Sequence, residues 1–207
     1  MTEPSTPAPK RVLVNLAHPV LEKSRVNRRL VEAIRGVRGI TVNDLYEEYP
    51  DLVIDVEREK ALLVEHDIIV FQHPFYWYST PSLLKEWQDL VLQHGWAYGD
   101  GGHALDGKIT FNVVSTGGPQ EAYRNEGHNR FTMRELLAPY DQTAHLCRMR
   151  YLPPFPVHAA LKLETENDVA PYGARYARLL GAFRDGTVDL AKAETLATLD
   201  QLELELA

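Results

Sequence analysis

Short apolar segments alternate with helical segments along most of this chain, and this alternation is the feature that most constrains its fold. Four segments have the length and apolar character of buried strands: residues 11–17, 40–45, 67–72 and 109–114. A fifth, weaker strand is expected over residues 145–151. Helical patterns fall between and after them, over residues 24–37, 55–65, 81–93, 131–137 and 172–183. Strands that alternate with helices indicate a parallel sheet covered by helices on both faces.

Five strands in this rhythm favour an α/β, flavodoxin-like doubly wound sandwich, with a five-stranded parallel sheet in the order 2-1-3-4-5. The first strand is not followed by the G-x-G-x-x-G pattern, which argues against a dinucleotide-binding domain. We expect one flavodoxin-like domain over residues 11–184. Residues 1–10 are expected to form a disordered lead-in, and residues 185–207 a polar C-terminal extension, either a helix or a tail, that adds little to the function.

The charge and cysteine content exclude some functions. The formal charge of -7 and the isoelectric point near 5.6 argue against general nucleic-acid binding, which needs a basic surface. Cys147 is the one cysteine of the 207 residues, so the chain can form no intrachain disulfide, and its sequence has no zinc-binding cluster. This cysteine is expected to be a small buried apolar residue. A reducing, cytoplasmic location follows as the expectation.

Four adjacent aromatic residues follow the third predicted strand and precede a proline that opens the next helix. They are Phe75, Tyr76, Trp77 and Tyr78. The ends of parallel strands are where open α/β folds bind ligands, so this turn places flat apolar surface at a ligand-binding edge. A planar ligand that stacks there is the favoured interpretation. The alternative is that these side chains bridge two packed elements or line a subunit interface.

Two further loops follow neighbouring strands. Ser24 and Asn27 open a helix after the first strand, where free backbone amides attract phosphate and Arg25 and Arg28 add positive charge. An ordinary helix cap with solvated arginines is the alternative, and His18 is equally consistent with a buried turn histidine. After the fourth strand, Gly117 and Gly118 allow backbone amides to approach a ligand, although a simple turn explains them as well.

The three loops together predict more than each does alone. In the 2-1-3-4-5 order, strands one, three and four lie side by side, so their carboxyl ends border one crevice. A phosphate site, a stacking surface and backbone donors at that crevice describe a mononucleotide with a flat heterocycle. FMN fits this description best.

The sequence motifs, taken together, resemble those of a known family. The chain is similar to the flavodoxin-like NAD(P)H:quinone oxidoreductases, and most similar to the ancillary subunits of glutathione-gated potassium efflux systems. The resemblance rests on AHP at His18, S-x-x-N at Ser24, HPFYWYSTPSLLKEWQDLV, HGWAYGDGGHALDGK, STGG at Ser115 and YLPPFPVH, which ends at His158. It covers nearly everything from residue 11 to about residue 183, and the long aromatic motif is its most specific part.

The resemblance implies residue roles. The FMN phosphate and ribityl chain would be held by residues at the start of the first helix, namely His18, Ser24, Arg25, Val26 and Asn27. The aromatic turn would line the isoalloxazine, and Ser115, Thr116, Gly117 and Gly118 would bind its pyrimidine end. Tyr123 and His128 correspond to a tyrosine and a histidine that the wider family places over the flavin, with a spacing to His128 that differs by one residue. The family also implies a homodimer whose two subunits line the substrate pocket.

The resemblance implies two functions of different classes. As an enzyme, the protein would pass hydride from NADH or NADPH through FMN to a quinone or related electrophile in a ping-pong reaction. As a regulatory subunit, it would dock peripherally on a membrane potassium/proton antiporter. A flavin-free hydrolase on the same fold is a third, weaker alternative, because no nucleophile loop stands at a strand end.

Overall fold

The computed structural model describes residues 8–202, and its centre is a parallel sheet with the predicted strand order. The strands are β1 (Val12–Leu16), β2 (Ile40–Asp44), β3 (Ile68–Pro74), β4 (Ile109–Ser115), β5 (Arg150–Tyr151) and β6 (Phe155–Val157). They run in the order β2-β1-β3-β4-β5, and β6 also pairs with β4, so the two short strands share the edge of the sheet. The predicted flavodoxin-like fold is confirmed.

Eight helices are described, and they cover both faces of the sheet. They are α1 (Arg25–Ile34), α2 (Leu45–Glu48), α3 (Val56–Glu65), α4 (Ser82–Val91), α5 (Met133–Leu136), α6 (Ala138–Leu146), α7 (Glu166–Asp185) and α8 (Leu190–Thr195). Side chains alternate along a strand, and β1 demonstrates the result: Leu13 packs under α3 and α4, whereas Val12 and Val14 pack under α1 and α7. Because both faces are covered, β1, β3 and β4 are buried along their whole length.

The strand register brings the carboxyl ends of four strands to one edge. Leu16 of β1 pairs with Gln72 of β3, Pro74 of β3 pairs with Ser115 of β4, and Ser115 also pairs with Val157 of β6. The loops that follow these strands therefore start side by side.

The edge of the sheet differs from the prediction. The helix expected over residues 131–137 is divided, and α6 continues through His145, which was expected to lie in the fifth strand. Pro139 lies in the first turn of α6, where a missing amide hydrogen costs nothing, so it begins a helix rather than ending one. The edge strand is correspondingly short, and Pro153 and Pro154 interrupt it before β6.

The last long helix starts earlier than predicted. Thr165 caps α7 and forms a capping box with Asp168, so the helix begins at Glu166, six residues before the expected start at Tyr172. Pro171 lies inside this helix. It lies in the second turn, and the capping box at Thr165 sets the start of the helix before it.

The C-terminal extension is partly helical and contacts the domain. Ala193 of α8 and Leu199 are buried, and the Leu199 amide donates to the Pro154 carbonyl at 2.8 Å. Residues 1–7 of the predicted lead-in and residues 203–207 of the extension lie outside the described residues. Between residues 8 and 202, no helix is both long and apolar enough to cross a membrane.

Candidate functional site

Two adjoining depressions lie at the carboxyl ends of the strands. The first, here called the polar crevice, has a volume of about 450 Å3. The residues that line it and enter the argument are His18, Lys23, Ser24, Arg25, Val26, Phe75, Tyr76, Ser115, Thr116, Gly117, Ala160 and Leu161. The second, the aromatic crevice, measures about 480 Å3 and is lined by Phe75, Trp77, Tyr78, Gly118, Pro119, Ala122, Tyr123, His128 and Asn129. Phe75 is common to both.

The start of α1 forms one end of the polar crevice. Ser24 caps the helix, and its Oγ accepts a hydrogen bond from the Asn27 amide at 3.1 Å. The amides of Arg25 and Val26 precede this bond and have no intrahelical acceptor, as is usual in a first helical turn. Two free donors and the positive end of the helix dipole therefore face this crevice, which suits a phosphate ester.

Asn27 connects the helix start to two strand ends. Its Nδ2 donates to Ser115 Oγ at 2.8 Å and to Ser24 Oγ at 3.3 Å, and its carbonyl accepts from Gln72 Nε2 at 3.2 Å. Asn27 is 1% exposed and does not line the crevice. Its side chain therefore holds the Ser24 and Ser115 hydroxyls from the buried side of the crevice. The sequence motif did not reveal this position.

His18 lines the polar crevice as a largely buried ring. Its Nδ1 accepts a hydrogen bond from the Val20 amide at 3.2 Å, so the neutral ring carries its proton on Nε2. Burial lowers the pKa of His18, and the nearby Glu22 carboxylate partly opposes this. His18 is therefore a buried turn histidine that also lines the crevice, and its role in holding a phosphate stays a prediction.

Arg25 contacts the loop after β6 on the opposite side of the polar crevice. Its guanidinium donates to the carbonyl of Leu161 at 3.4 Å and to that of Glu164 at 3.5 Å. Both bonds are long, and the side chain is exposed. Arg25 and Lys23 thus supply positive charge at the rim of the crevice.

The aromatic turn is exposed and lies partly in left-handed backbone conformation. Trp77 is 93% exposed, with φ of 50°, and Tyr78 is half exposed, with φ of 62°. Such angles are costly for residues with bulky side chains. The Phe75 amide donates to the Ser115 carbonyl at 2.9 Å, which ties the start of the turn to β4.

A buried histidine supports this turn from below. His73 is fully buried, and its Nδ1 donates to the Pro74 carbonyl at 3.0 Å, which also accepts the Tyr76 amide. Its Nε2 accepts from Asn112 Nδ2 at 3.1 Å, while Asn112 Oδ1 accepts from the Tyr151 hydroxyl. Burial lowers the pKa of His73 to about 4, so the ring is neutral at pH 7.

The two predicted catalytic residues lie in the aromatic crevice. The ring of Tyr123 is 6.4 Å from that of Phe75, and His128 lines the same depression beside Tyr78. Both side chains are therefore close to the surface on which a planar ligand would stack. Their catalytic role stays a prediction.

The glycines after β4 leave room for a ligand. A Cβ atom built on Gly117 would meet only Leu161 Cδ1, at 3.8 Å, across the polar crevice. One built on Gly118 would lie 3.3 Å from the Tyr123 ring. The Thr116 amide donates to the Val157 carbonyl of β6, so among the three backbone amides expected to face the ligand, only those of Gly117 and Gly118 remain available.

His158 was not among the predicted site residues. It follows β6, and its Nδ1 donates to Thr116 Oγ1 at 3.2 Å, which donates in turn to the Gly118 carbonyl. Burial lowers the pKa of His158, and the carboxylates of Asp200 and Glu121 partly oppose this. His158 ends the YLPPFPVH motif, but its position at a strand end was hidden because the edge strand was placed at residues 145–151.

The chemistry of the two crevices agrees with the ligand expected from the sequence. Free amides, His18 and two cationic side chains suit a phosphate, and the adjoining exposed aromatic surface suits a planar ring. In the part of the chain that the structure describes, no three His, Cys, Asp or Glu side chains are grouped closely enough to hold a metal ion.

Comparisons with known proteins agree with this architecture. The profile of the flavodoxin-like fold family matches residues 10–180. The glutathione-regulated potassium-efflux system ancillary protein KefG of Pectobacterium carotovorum is 47% identical over 158 residues, which cover 76% of this chain and 86% of that protein.

Two solved structures resemble the protein closely. General stress protein 14 of Treponema denticola, in complex with FMN, is 38% identical, with a TM-score of 0.76 over 86% of this chain and 99% of that one. An NADPH-quinone reductase from P. pentosaceus is 34% identical, with a TM-score of 0.72 over 81% and 97% of the two chains. The chain therefore belongs to the flavodoxin-like fold family, with close relatives among potassium-efflux ancillary proteins and NADPH-quinone reductases.

Proposed function

We propose that this protein is an FMN-dependent NAD(P)H:quinone oxidoreductase. The observation that supports this most strongly is the meeting of the polar and aromatic crevices at Phe75, which places a phosphate site beside an exposed stacking surface. The FMN complex of the Treponema denticola protein and the name of the P. pentosaceus reductase agree with this proposal.

The polar crevice would hold the FMN tail. The amides of Arg25 and Val26 donate to phosphate oxygens, and His18 Nε2 adds a donor from the facing loop. Lys23 and Arg25 balance the charge of the phosphate at the rim. Asn27 contributes indirectly, because it keeps the hydroxyls of Ser24 and Ser115 in place.

The aromatic crevice would hold the ring system and the substrates. Bound FMN would supply the two-electron chemistry between NAD(P)H and a quinone-like electrophile. The amides of Gly117 and Gly118 would hold the pyrimidine edge of FMN and would stabilise negative charge there. Trp77 and Tyr78 would offer flat surface to the isoalloxazine and to the substrate, and Tyr123 or His128 would donate a proton to the reduced quinone.

An absorbance titration tests the enzymatic proposal. The purified protein, saturated with FMN, should lose its flavin absorbance on anaerobic addition of NADPH or NADH. Addition of menadione should then restore it. A flavin that neither nucleotide bleaches, or that the quinone does not reoxidise, would contradict the enzymatic function.

The similarity to KefG favours a second function, that of an ancillary subunit of a potassium-efflux system at the cytoplasmic face of the membrane. The match covers 86% of that protein, so it includes most of the relative and not one motif alone. Affinity capture with the antiporters of the host is the test. Retention of a potassium/proton antiporter would support this function, and failure to retain any of them would contradict it.

A homodimer would complete the aromatic crevice. Trp77 and Leu161, at 93% and 75% exposure, place large apolar surface at the mouth of the site. Burial of such surface favours association, and the family resemblance implies substrate pockets lined by two subunits. Sedimentation should give twice the mass of one chain, and a monomer at micromolar concentration would contradict the dimer.

A further inference from the structure

A third depression, here called the basic pocket, lies behind Tyr123 and has a volume of about 300 Å3. Besides Tyr123, its polar lining residues are Gln120, Arg124, Thr132, Arg134, His158, Thr198 and Gln201. Tyr123 lines both this pocket and the aromatic crevice, so the two are neighbours on either side of one ring.

The charge of this pocket is opposite to that of the whole chain. Arg124 and Arg134 line it, no carboxylate does, and the chain has a formal charge of -7. Two guanidinium groups among hydroxyl and amide side chains suit a phosphomonoester, which arginine binds through paired hydrogen bonds. Three carboxylates act on groups that line the pocket: Glu121 and Asp200 act on His158, and Glu194 interacts with Arg134 as well as with Arg150.

The two arginines differ in how they are held. Arg134 donates through one nitrogen to the carbonyls of Glu194 and Leu196, at 3.2 Å each, which fixes the C-terminal segment against α5. Arg124 is exposed, and its guanidinium forms no hydrogen bond or ion pair with any of residues 8–202, while its main-chain carbonyl accepts the Gly127 amide. One guanidinium is thus anchored and the other is available to a ligand.

The C-terminal extension forms one side of the basic pocket. Ala197, Thr198 and Gln201 line it, and all three lie beyond residues 10–180, the part matched by the family profile. Leu199 is buried between them and holds this segment in place. The extension was expected to add little to function, and the structure places part of it at this pocket.

We propose that the basic pocket binds the 2′-phosphate of NADPH and makes the phosphorylated dinucleotide the preferred electron donor. The inference rests on the proposed oxidoreductase function, because the nicotinamide must lie in the aromatic crevice on the other side of Tyr123. NADPH has a flat reactive ring at one end and a phosphomonoester at the other, and the two depressions offer one aromatic and one cationic surface. NADH lacks the group that the arginines would bind.

Arg124→Gln tests this assignment, because Arg124 is exposed and is not part of the redox site. The KM for NADPH should rise about tenfold, as expected for the loss of one charge-assisted contact. The KM for NADH and both kcat values should not change, and Arg124→Lys should restore part of the preference. Arg175→Gln, an exposed arginine of α7, is the matched control and should change nothing. Equal KM changes for the two donors, or none, would overturn the proposal.

Direct binding separates this inference from the proposed function. Adenosine 2′,5′-bisphosphate should bind more tightly than AMP in calorimetry, and Arg124→Gln should remove the difference. A protein that binds the bisphosphate but whose FMN no nucleotide bleaches would contradict the oxidoreductase function and leave the pocket supported. Equal affinity for the bisphosphate and AMP, or competition by inorganic phosphate as strong as that by the bisphosphate, would overturn the pocket assignment.

Discussion

The polar crevice and the aromatic crevice adjoin at Phe75 but are built in opposite ways. Around the polar crevice, buried hydrogen bonds of Asn27 join a helix start to β3 and β4, so the donors are fixed before any ligand arrives. The aromatic turn carries Trp77 at 93% exposure and in left-handed backbone, with His73 as its buried support.

This difference separates two kinds of mutational effect. A change in the fixed polar framework should lower folding stability together with ligand affinity, because the same hydrogen bonds serve both. A change on the exposed aromatic surface should lower affinity or turnover and leave stability unchanged.

The largest effect is expected for Asn27→Leu. The substitution removes the Nδ2 donor shared by the buried Ser115 hydroxyl and the Ser24 hydroxyl, and leaves the main-chain carbonyl that Gln72 contacts in place, which should lower the free energy of unfolding by about 3 kcal/mol. Urea denaturation measures this, with the exposed Asn167→Leu as control, for which a change within about 0.5 kcal/mol is expected. A loss below about 1 kcal/mol for Asn27→Leu would mean that the polar framework is not fixed by this residue.

Turnover should respond to the aromatic side of the site. The double variant Tyr123→Phe, His128→Ala should slow quinone reduction about 100-fold, because proton donors for the reduced quinone are lost. FMN should stay bound, since neither residue lines the polar crevice. Undiminished quinone reduction would remove both residues from the mechanism.

Acid should weaken the support of the aromatic turn. His73 titrates near 4 when folded and near 6.5 when unfolded, so the unfolded chain binds more protons between these values. Its contribution to stability is complete above pH 6.5 and is lost as the pH falls toward 4, which amounts to about 2 kcal/mol between pH 7 and pH 5.

Urea denaturation at pH 7 and at pH 5 measures this loss of stability. The His73→Asn variant should lose much less stability between these two pH values than the parent protein. If the variant and the parent lose equal stability, then His73 is not the group responsible.

Gly117→Ala probes the boundary between the crevices. The added methyl group meets only Leu161 and projects into the space expected for FMN, so FMN affinity should fall about tenfold with stability retained. Gly118→Ala is the matched comparison: its methyl group presses on Tyr123, so it should alter turnover more than FMN affinity. Identical effects of the two variants would show that the crevices do not divide these roles.

The smallest effect is expected for Trp77→Ala. The ring contributes stacking worth about 1 kcal/mol, so FMN affinity should fall about three- to tenfold, and Trp77→Phe should recover part of it. The free energy of unfolding should change by less than about 0.5 kcal/mol, since the side chain is exposed. A clear loss of stability at concentrations where the protein is monomeric would mean that this ring packs against its own chain.

The fold and the meeting of three loops were predictable because they depend on local patterns. Apolar runs identify β1 to β4, and the parallel order then brings the loops that carry Ser24, Trp77 and Gly117 to one edge. The resemblance to a known family also named the aromatic crevice residues Tyr123 and His128, and the structure brings both beside the aromatic turn.

The features that were missed depend on contacts between distant residues. Whether Pro139 begins or ends a helix is decided by packing, and with it the position of the edge strand and of His158. The direction of the Asn27 side chain depends on Ser115, 88 residues away. The basic pocket forms only because residues 197–201 return to Arg124 and Arg134, and no local pattern predicts that contact.

Titration of the flavin-depleted protein with FMN, followed by calorimetry, tests most directly whether the two crevices form one site. One FMN should bind per chain with a dissociation constant in the micromolar range or below. Riboflavin, which lacks the phosphate, should bind at least tenfold more weakly. Absence of FMN uptake, or equal affinity for riboflavin, would contradict the account.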